Sequence, residues 1–203
     1  MKRKELRKLS DDIRRKVSRS FGFRQSSYIN WIVKEGYFFC LQHLSSAEVS
    51  LLVKPMYADD LWWDIFNLPE NKKCPTSLRG TGAFSIPAAI LKEYAFIGKQ
   101  IDCANGETLH EKWQNIFRPA TQDIDSFLHN HPNADTFIPD KNYNYDADRL
   151  LYLITLLHNG RKNEVVQTIN ELKAQGHCCL FHDFASNMDS YDFILKWCSL
   201  LLL

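Results

Sequence analysis

Apolar residues at the start of the chain recur every three or four positions, a spacing that predicts an amphipathic helix. They are Leu6, Leu9, Ile13 and Val17, and most of the positions between them are Lys or Arg. The segment Phe21-Gly22-Phe23 ends this helix, because Gly22 can adopt the left-handed conformation that closes many helices. The chain therefore opens with a helix whose apolar face needs a packing partner.

After residue 26 the pattern changes to short runs of aromatic and β-branched residues separated by turn-forming residues. These runs predict strands over 27–33, 37–43 and 48–54, and their short connections make neighbouring strands antiparallel. The second strand is apolar on both faces, which places it at the centre of a sheet. A fourth strand is predicted over 77–86, bent at Gly80 and Gly82.

Helical spacing dominates the remaining chain. A helix is predicted over 58–66, with Asp59 or Asp60 as its N-cap, and another over 87–97, opened by Pro87. Beyond residue 100 we predict helices over 107–117, 122–129, 146–158, 161–175 and 190–202. The fold class is therefore α+β, with an N-terminal helix, an antiparallel meander of three to four strands and a helical C-terminal half. Its 203 residues suit a single domain with lobes over 1–100 and 101–203.

The charge of the chain is unevenly distributed. The chain has 25 basic and 24 acidic residues, but the first 24 residues carry a net charge of +7 and the remainder −6. The basic helix could be a solvated face, a site for an acidic protein, or a site for nucleic acid or lipid. Because the basic residues are not interleaved with aromatic stacking groups, the sequence favours the solvated face and disfavours nucleic acid.

The composition indicates a cytoplasmic protein. The six cysteines show no regular disulfide framework. The N-terminus lacks the continuous apolar stretch of a signal peptide, and the C-terminal apolar run is too short to span a bilayer. We therefore expect a reducing compartment and no membrane.

The most distinctive local feature is an acidic and aromatic cluster. Asp60 and Asp64 lie four positions apart and share a helix face, where their charges repel unless a cation or a hydrogen-bond donor intervenes. Trp62 and Trp63 point in different directions, so we expect one in the core and the other in a groove or interface. These four residues are candidates for a binding site. The two carboxylates could ligate a metal or act as acid and base, although capping and an exposed face explain them equally well.

Arg79 is the remaining candidate binding residue. It lies on a glycine-containing segment and could hold an anionic group through both guanidinium nitrogens, with Asp60 or His110 as a base. This arrangement would suit a small-ligand-binding protein or an enzyme with a pocket between the sheet and the C-terminal helices.

Two groups of residues could be considered as zinc ligands. His177, Cys178, Cys179 and His182 have the right chemistry but lack a Cys-x-x-Cys spacing, while His129 and His131 form only a pair. We therefore expect no metal and no cofactor. The zincin, phosphate-loop, dinucleotide and nucleophile-elbow motifs are each incomplete or absent in the sequence, which weakens the enzyme interpretation.

The basic helix, the Phe-Gly-Phe turn and the aromatic meander, together with 56–66 and 77–84, resemble small uncharacterised bacterial families grouped as domains of unknown function. The resemblance covers about the first 100 residues. Some proteins of this kind neighbour toxin systems as immunity or accessory partners, which implies a binding role. The leading hypothesis is a cytoplasmic, non-enzymatic interaction module that uses the 59–64 helix and the loop 129–145 to bind a protein; the alternative is the ligand-binding protein or enzyme described above.

Overall fold

A five-stranded antiparallel sheet and seven α-helices make up the described part of the chain. The computed structural model describes residues 3–42, 48–82, 84–95, 106–140, 146–177, 182–183 and 188–200. The helices are α1 (Arg3–Ser20), α2 (Met56–Ile65), α3 (Leu78–Thr81), α4 (Gly106–Asn130), α5 (Asp146–His158), α6 (Lys162–Ala174) and α7 (Ser190–Leu200). The sheet contains β1 (Arg24–Ser26), β2 (Ile29–Lys34), β3 (Tyr37–Gln42), β4 (Glu48–Pro55) and β5 (Ala89–Ala95), and a separate pair contains β6 (His182–Asp183) and β7 (Met188–Asp189). The predicted α+β class is confirmed.

The chain divides into two compact units, each made of two separate stretches of sequence. The first comprises Met1–Lys54 and Ile90–Ala134, and the second comprises Pro55–Ala89 and Asp135–Leu203. The sheet, α1 and α4 therefore belong to the first unit, while α2, α3 and α5 to α7 belong to the second.

The sheet of the first unit is a meander with strand order β1-β2-β3-β4-β5. β2 and β3 form an antiparallel hairpin in which Lys34 pairs with Tyr37 and Ile29 with Gln42. Residues 37–41 of β3 are all buried, which confirms the central position that the apolar run predicted. β4 ends at Pro55, whose ring nitrogen has no proton to donate to a neighbouring strand.

The sheet has one strand more than the upper limit of the prediction. β1 is a short strand that precedes the predicted 27–33 segment, and β5 forms where a helix was predicted over 87–97. The predicted strand over 77–86 is wrong, because residues 78–81 form α3 instead. Hydrogen bonding of β5 beside β4 outweighed its local helical pattern, since a strand at a sheet edge gains backbone partners from residues distant in sequence.

α4 is one helix of 25 residues in place of the two shorter helices that the sequence predicted, and Pro119 lies inside it. Apolar side chains on one face stay buried on both sides of the proline: Trp113, Phe117, Ala120 and Ile124. Ring contacts join Phe117 to Phe23 and Phe127 to Tyr37. This packing compensates for the roughly 3 kcal/mol that a proline costs inside a helix.

The buried face of α1 is shifted from the one that its apolar spacing predicts, and the two faces share Val17. Ser10, Arg14, Val17 and Ser18 are buried, whereas Leu9 and Ile13 are only partly buried. Arg14 donates from Nη2 to the carbonyl oxygen of Ser27 at 3.0 Å and lies 5.7 Å from the centroid of the Trp113 ring. Burial lowers the pKa of Arg14 from its ordinary value. Gly22 closes the helix at φ +81°, as its position predicted.

The second unit is a helical bundle around one apolar core. Its buried residues include Trp62 of α2, Leu153 of α5, Ile169 of α6 and Ile194 of α7. α5 and α6 form a hairpin that turns at Gly160, whose φ of +72° is easy only for a residue without Cβ. None of the helices in the described ranges combines the length and the apolar character needed to cross a membrane.

α7 begins with a reciprocal pair of hydrogen bonds between side chains and backbone. The Asp192 amide donates to Asp189 Oδ1 at 3.0 Å, and the Asp189 amide donates to Asp192 Oδ2 at 3.1 Å. Lys173 of α6 also donates to the Asp192 carboxylate. Asp189 therefore caps α7, and Asp192, the third helical residue, bonds back to the cap and ties the helix to α6.

We expect Asp192→Asn to lower the free energy of unfolding of the second unit by about 1 kcal/mol at neutral pH. Desolvation raises the pKa of Asp192, but bonds from Lys173 and the Asp189 amide outweigh it and lower the pKa overall. The stabilisation is therefore present above the ordinary aspartate pKa of about 4 and is lost as the pH falls through the lowered value. Thermal unfolding of both proteins between pH 7 and pH 3 should show the difference shrinking; a constant difference would contradict this role.

Candidate functional site

Asp60 and Asp64 of α2 each face a different basic residue of the second unit. Arg79 Nη2 donates to Asp60 Oδ1 at 2.7 Å, and Lys72 Nζ lies 2.6 Å from Asp64 Oδ1. These cations relieve the repulsion between two carboxylates on one helix face. Both carboxylate side chains remain more than a third exposed.

The Arg79 side chain is buried and binds α2 through both terminal nitrogens. Nη1 donates to the carbonyl oxygen of Met56 at 2.7 Å and lies 3.6 Å from Asp59 Oδ2, in addition to the bond from Nη2 to Asp60. The guanidinium carbon lies 4.9 Å from the centroid of the Trp63 ring. The fork that could hold an external anion is thus engaged within the protein, which weakens the anion-binding interpretation of Arg79.

Asp59 is fully buried and does not cap α2, which begins at Met56 with Pro55 before it. The prediction that Asp59 or Asp60 is the N-cap is therefore wrong. Asp59 Oδ1 instead accepts a hydrogen bond from the backbone amide of Ile86 at 2.9 Å. Through Arg79 and Asp59, α3 and the residues that follow it are held against α2.

Trp62 and Trp63 are both buried, so the prediction that one of them lies in a groove or an interface is wrong. The Trp62 ring packs in the core of the second unit, 4.4 Å from the ring of Phe66 between centroids. Trp63 Nε1 donates to the carbonyl oxygen of Phe84 at 2.7 Å. The two tryptophans point to different sides of α2, and other residues of the protein cover both sides.

The structure thus brings together Asp59, Asp60, Trp63 and Arg79, and we call these four residues the Arg79 cluster. Trp62 contributes to the core, and Asp64 forms a separate ion pair with Lys72. One guanidinium faces both carboxylates of the Arg79 cluster, so each charged group has an internal partner and the cluster can fix a backbone segment in place. The binding roles of Asp60, Trp62, Trp63, Asp64 and Arg79 stay predictions.

Sequence reasoning missed the exposed residues beside this cluster. The side chains of Leu78 and Phe84 are 37% and 46% exposed, on the segment that Asp59, Trp63 and Arg79 hold. The predicted strand over 77–86 concealed these residues. Side chains alternate between the two faces of a strand, whereas residues three or four apart share a face of a helix, so the two structures expose different residues. The Gly82 amide donates to the Leu78 carbonyl oxygen at 2.8 Å and closes this short helix. Because glycine commonly ends a helix, Gly82 is the sequence signal that could have indicated a helix here.

Within the described ranges, no three His, Cys, Asp or Glu side chains come together as possible metal ligands. His129 lies in the last turn of α4, and His131 follows the helix. Cys178, Cys179 and the side chain of His182 lie outside the described residues. His110 belongs to the first unit, and Asp60 and Arg79 belong to the second.

Comparisons with models of protein families, with curated proteins and with solved structures found no match for this chain. The resemblance of the first 100 residues to uncharacterised bacterial families therefore stays a prediction.

Proposed function

We propose that this chain is a non-enzymatic protein-interaction module, and that its second unit binds a partner protein through Leu78 and Phe84. The observation that carries the proposal is the exposure of two large apolar side chains on one short segment whose backbone is held in place. Large apolar side chains exposed close together in the sequence offer a protein partner apolar area to bury.

The backbone of this segment is held at several points. The Phe84 oxygen accepts from Trp63, the Ile86 amide donates to Asp59, and the Ser85 hydroxyl donates to the Gly82 oxygen at 2.8 Å. Because these bonds are made before any partner arrives, little conformational entropy is lost from this backbone on binding. A preorganised apolar segment suits a binding role.

Polar groups beside the segment can supply specificity. Asp60 accepts a hydrogen bond from Arg79, the residue after Leu78 in the sequence, and the Asp60 carboxylate remains partly exposed. An apolar centre with a charged rim is the usual composition of a protein interface. The proposed surface and the predicted 59–64 surface have Asp60 in common. Leu78 and Phe84 are its apolar residues, because Trp62 and Trp63 are buried. The loop 129–145, described up to residue 140, stays a second predicted surface.

We expect the double variant Leu78→Ser and Phe84→Ser to capture at least about 10-fold less partner from native-host extract than the wild-type protein. Affinity capture with quantitative mass spectrometry would measure this. Because both side chains are substantially exposed, the free energy of unfolding should fall by less than about 1 kcal/mol.

The matched control is Val33→Ser, at a residue of β2 in the first unit that is 40% exposed. It should capture the same proteins as the wild type. An unchanged capture profile for the double variant would overturn the proposed surface. A metabolite that raises the melting temperature by several degrees in a thermal-shift screen would instead favour the small-ligand alternative.

A further inference from the structure

Four exposed basic side chains of α1 form no ion pair with the described residues of the protein. Lys8, Arg15, Lys16 and Arg19 are exposed, and no residue in the described ranges forms an ion pair with them. The positive charge of these four side chains is therefore available to an external group.

Four charged residues of α1 form one line along the helix. Lys8, Asp12, Arg15 and Arg19 are separated by four, three and four positions, so they follow a single helix face over about 16 Å. We call them the α1 stripe. The buried residues Arg14 and Val17 lie on the opposite side of the helix. The α1 stripe thus points away from the body of the first unit.

The order of charges along the stripe indicates the kind of partner. Asp12 interrupts the cations, and the Asp11 carboxylate is engaged with Arg14 at 3.3 Å. A nucleic acid presents uniformly negative phosphates, which Asp12 would repel. A protein helix can instead place a cation opposite Asp12 and carboxylates opposite the three cations. Such matched charges determine partner choice and register between helices.

We propose that the α1 stripe binds a net-acidic helix of another protein. In that helix, carboxylates face Lys8, Arg15 and Arg19, and a basic residue faces Asp12. This surface belongs to the first unit and is independent of the Leu78 and Phe84 surface proposed above.

The probe is a helix-stabilised peptide of about 16 residues with Glu at i, i+7 and i+11 and Lys at i+4. A second peptide has the same composition, but the residues at i and i+4 are exchanged. By fluorescence anisotropy at low salt we expect the first peptide to bind about 10-fold more tightly, because the exchange creates two like-charge contacts. Equal binding of the two peptides, or no binding of either, would overturn the proposal.

Charge reversal in the double variant Arg15→Glu and Arg19→Glu should weaken binding of the first peptide by at least about 10-fold. The control, Lys92→Glu with Lys196→Glu, changes the net charge equally at two exposed lysines outside α1 and should change binding by less than about twofold. A similar loss in both double variants would mean that only the total charge matters, which contradicts a specific stripe.

Asp12→Lys separates a protein partner from a nucleic acid. The variant should bind the first peptide more weakly, because the lysine of the peptide then faces a second lysine. It should bind single-stranded oligothymidylate more tightly. Tighter binding of oligothymidylate than of the first peptide to the wild-type protein would overturn the proposal in favour of nucleic acid. The α1 variants should leave capture through Leu78 and Phe84 unchanged, so the two proposals can fail separately.

Discussion

Replacing Arg79 by Met is expected to lower the free energy of unfolding of the second unit by about 3–5 kcal/mol. The substitution keeps much of the side-chain volume but removes the charge. The fully buried Asp59 carboxylate then loses the guanidinium beside it, and the hydrogen bond to Asp60 is lost. Urea unfolding would measure the loss, with hydrogen exchange of α2 amides reporting on the second unit.

Arg161→Met is the matched control, since Arg161 belongs to the same unit and pairs with Glu164 in an exposed position. Its cost should be no more than about 1 kcal/mol. Adding Asp59→Asn to Arg79→Met should recover part of the larger loss, because the uncompensated buried charge is then removed. If Arg79→Met cost no more than Arg161→Met, the Arg79 cluster would not be what holds the segment after α3.

Trp62→Ala is expected to cost about 3–5 kcal/mol, because it removes a fully buried aromatic side chain from the core of the second unit. The neighbouring Phe66 ring would lose its contact and a cavity would remain. Thermal and urea unfolding would measure the effect. A tryptophan used mainly for binding would instead give weaker partner capture with little change in stability.

The comparison variant is Trp197→Ala in α7 of the same unit, where the side chain is only partly buried. It should cost less than half as much as Trp62→Ala, because less apolar area leaves water at that position on folding. Equal costs at the two positions would contradict the burial difference between them.

The difference between the predicted and observed site has a specific cause. The sequence identified Asp60, Trp62, Trp63, Asp64 and Arg79, and the structure joins Asp60, Trp63 and Arg79 in one cluster. Their pairing could not be predicted, because it depends on α3 turning Arg79 towards α2 across 19 residues of sequence. Exposure of Leu78 and Phe84 follows from the same turn.

Local pattern alone determined the elements whose apolar spacing agrees with their final packing. The central strand β3, the helix α5 and the start of α7 lie where the sequence predicts them, since the residues that alternate or recur there are the ones that become buried. The glycine cap of α1 is also local, because it depends on the conformational freedom of Gly22 itself.

Only the tertiary structure decided the region 78–95, the continuity of α4 and the buried face of α1. β5 forms because β4 offers backbone partners, α4 continues through Pro119 because its buried face is shared by both halves, and Arg14 is drawn inward by Ser27 and Trp113. In each case contacts with residues distant in sequence contribute more free energy than the local preference that they override. A single-sequence pattern cannot register such contacts, because it records only near neighbours along the chain.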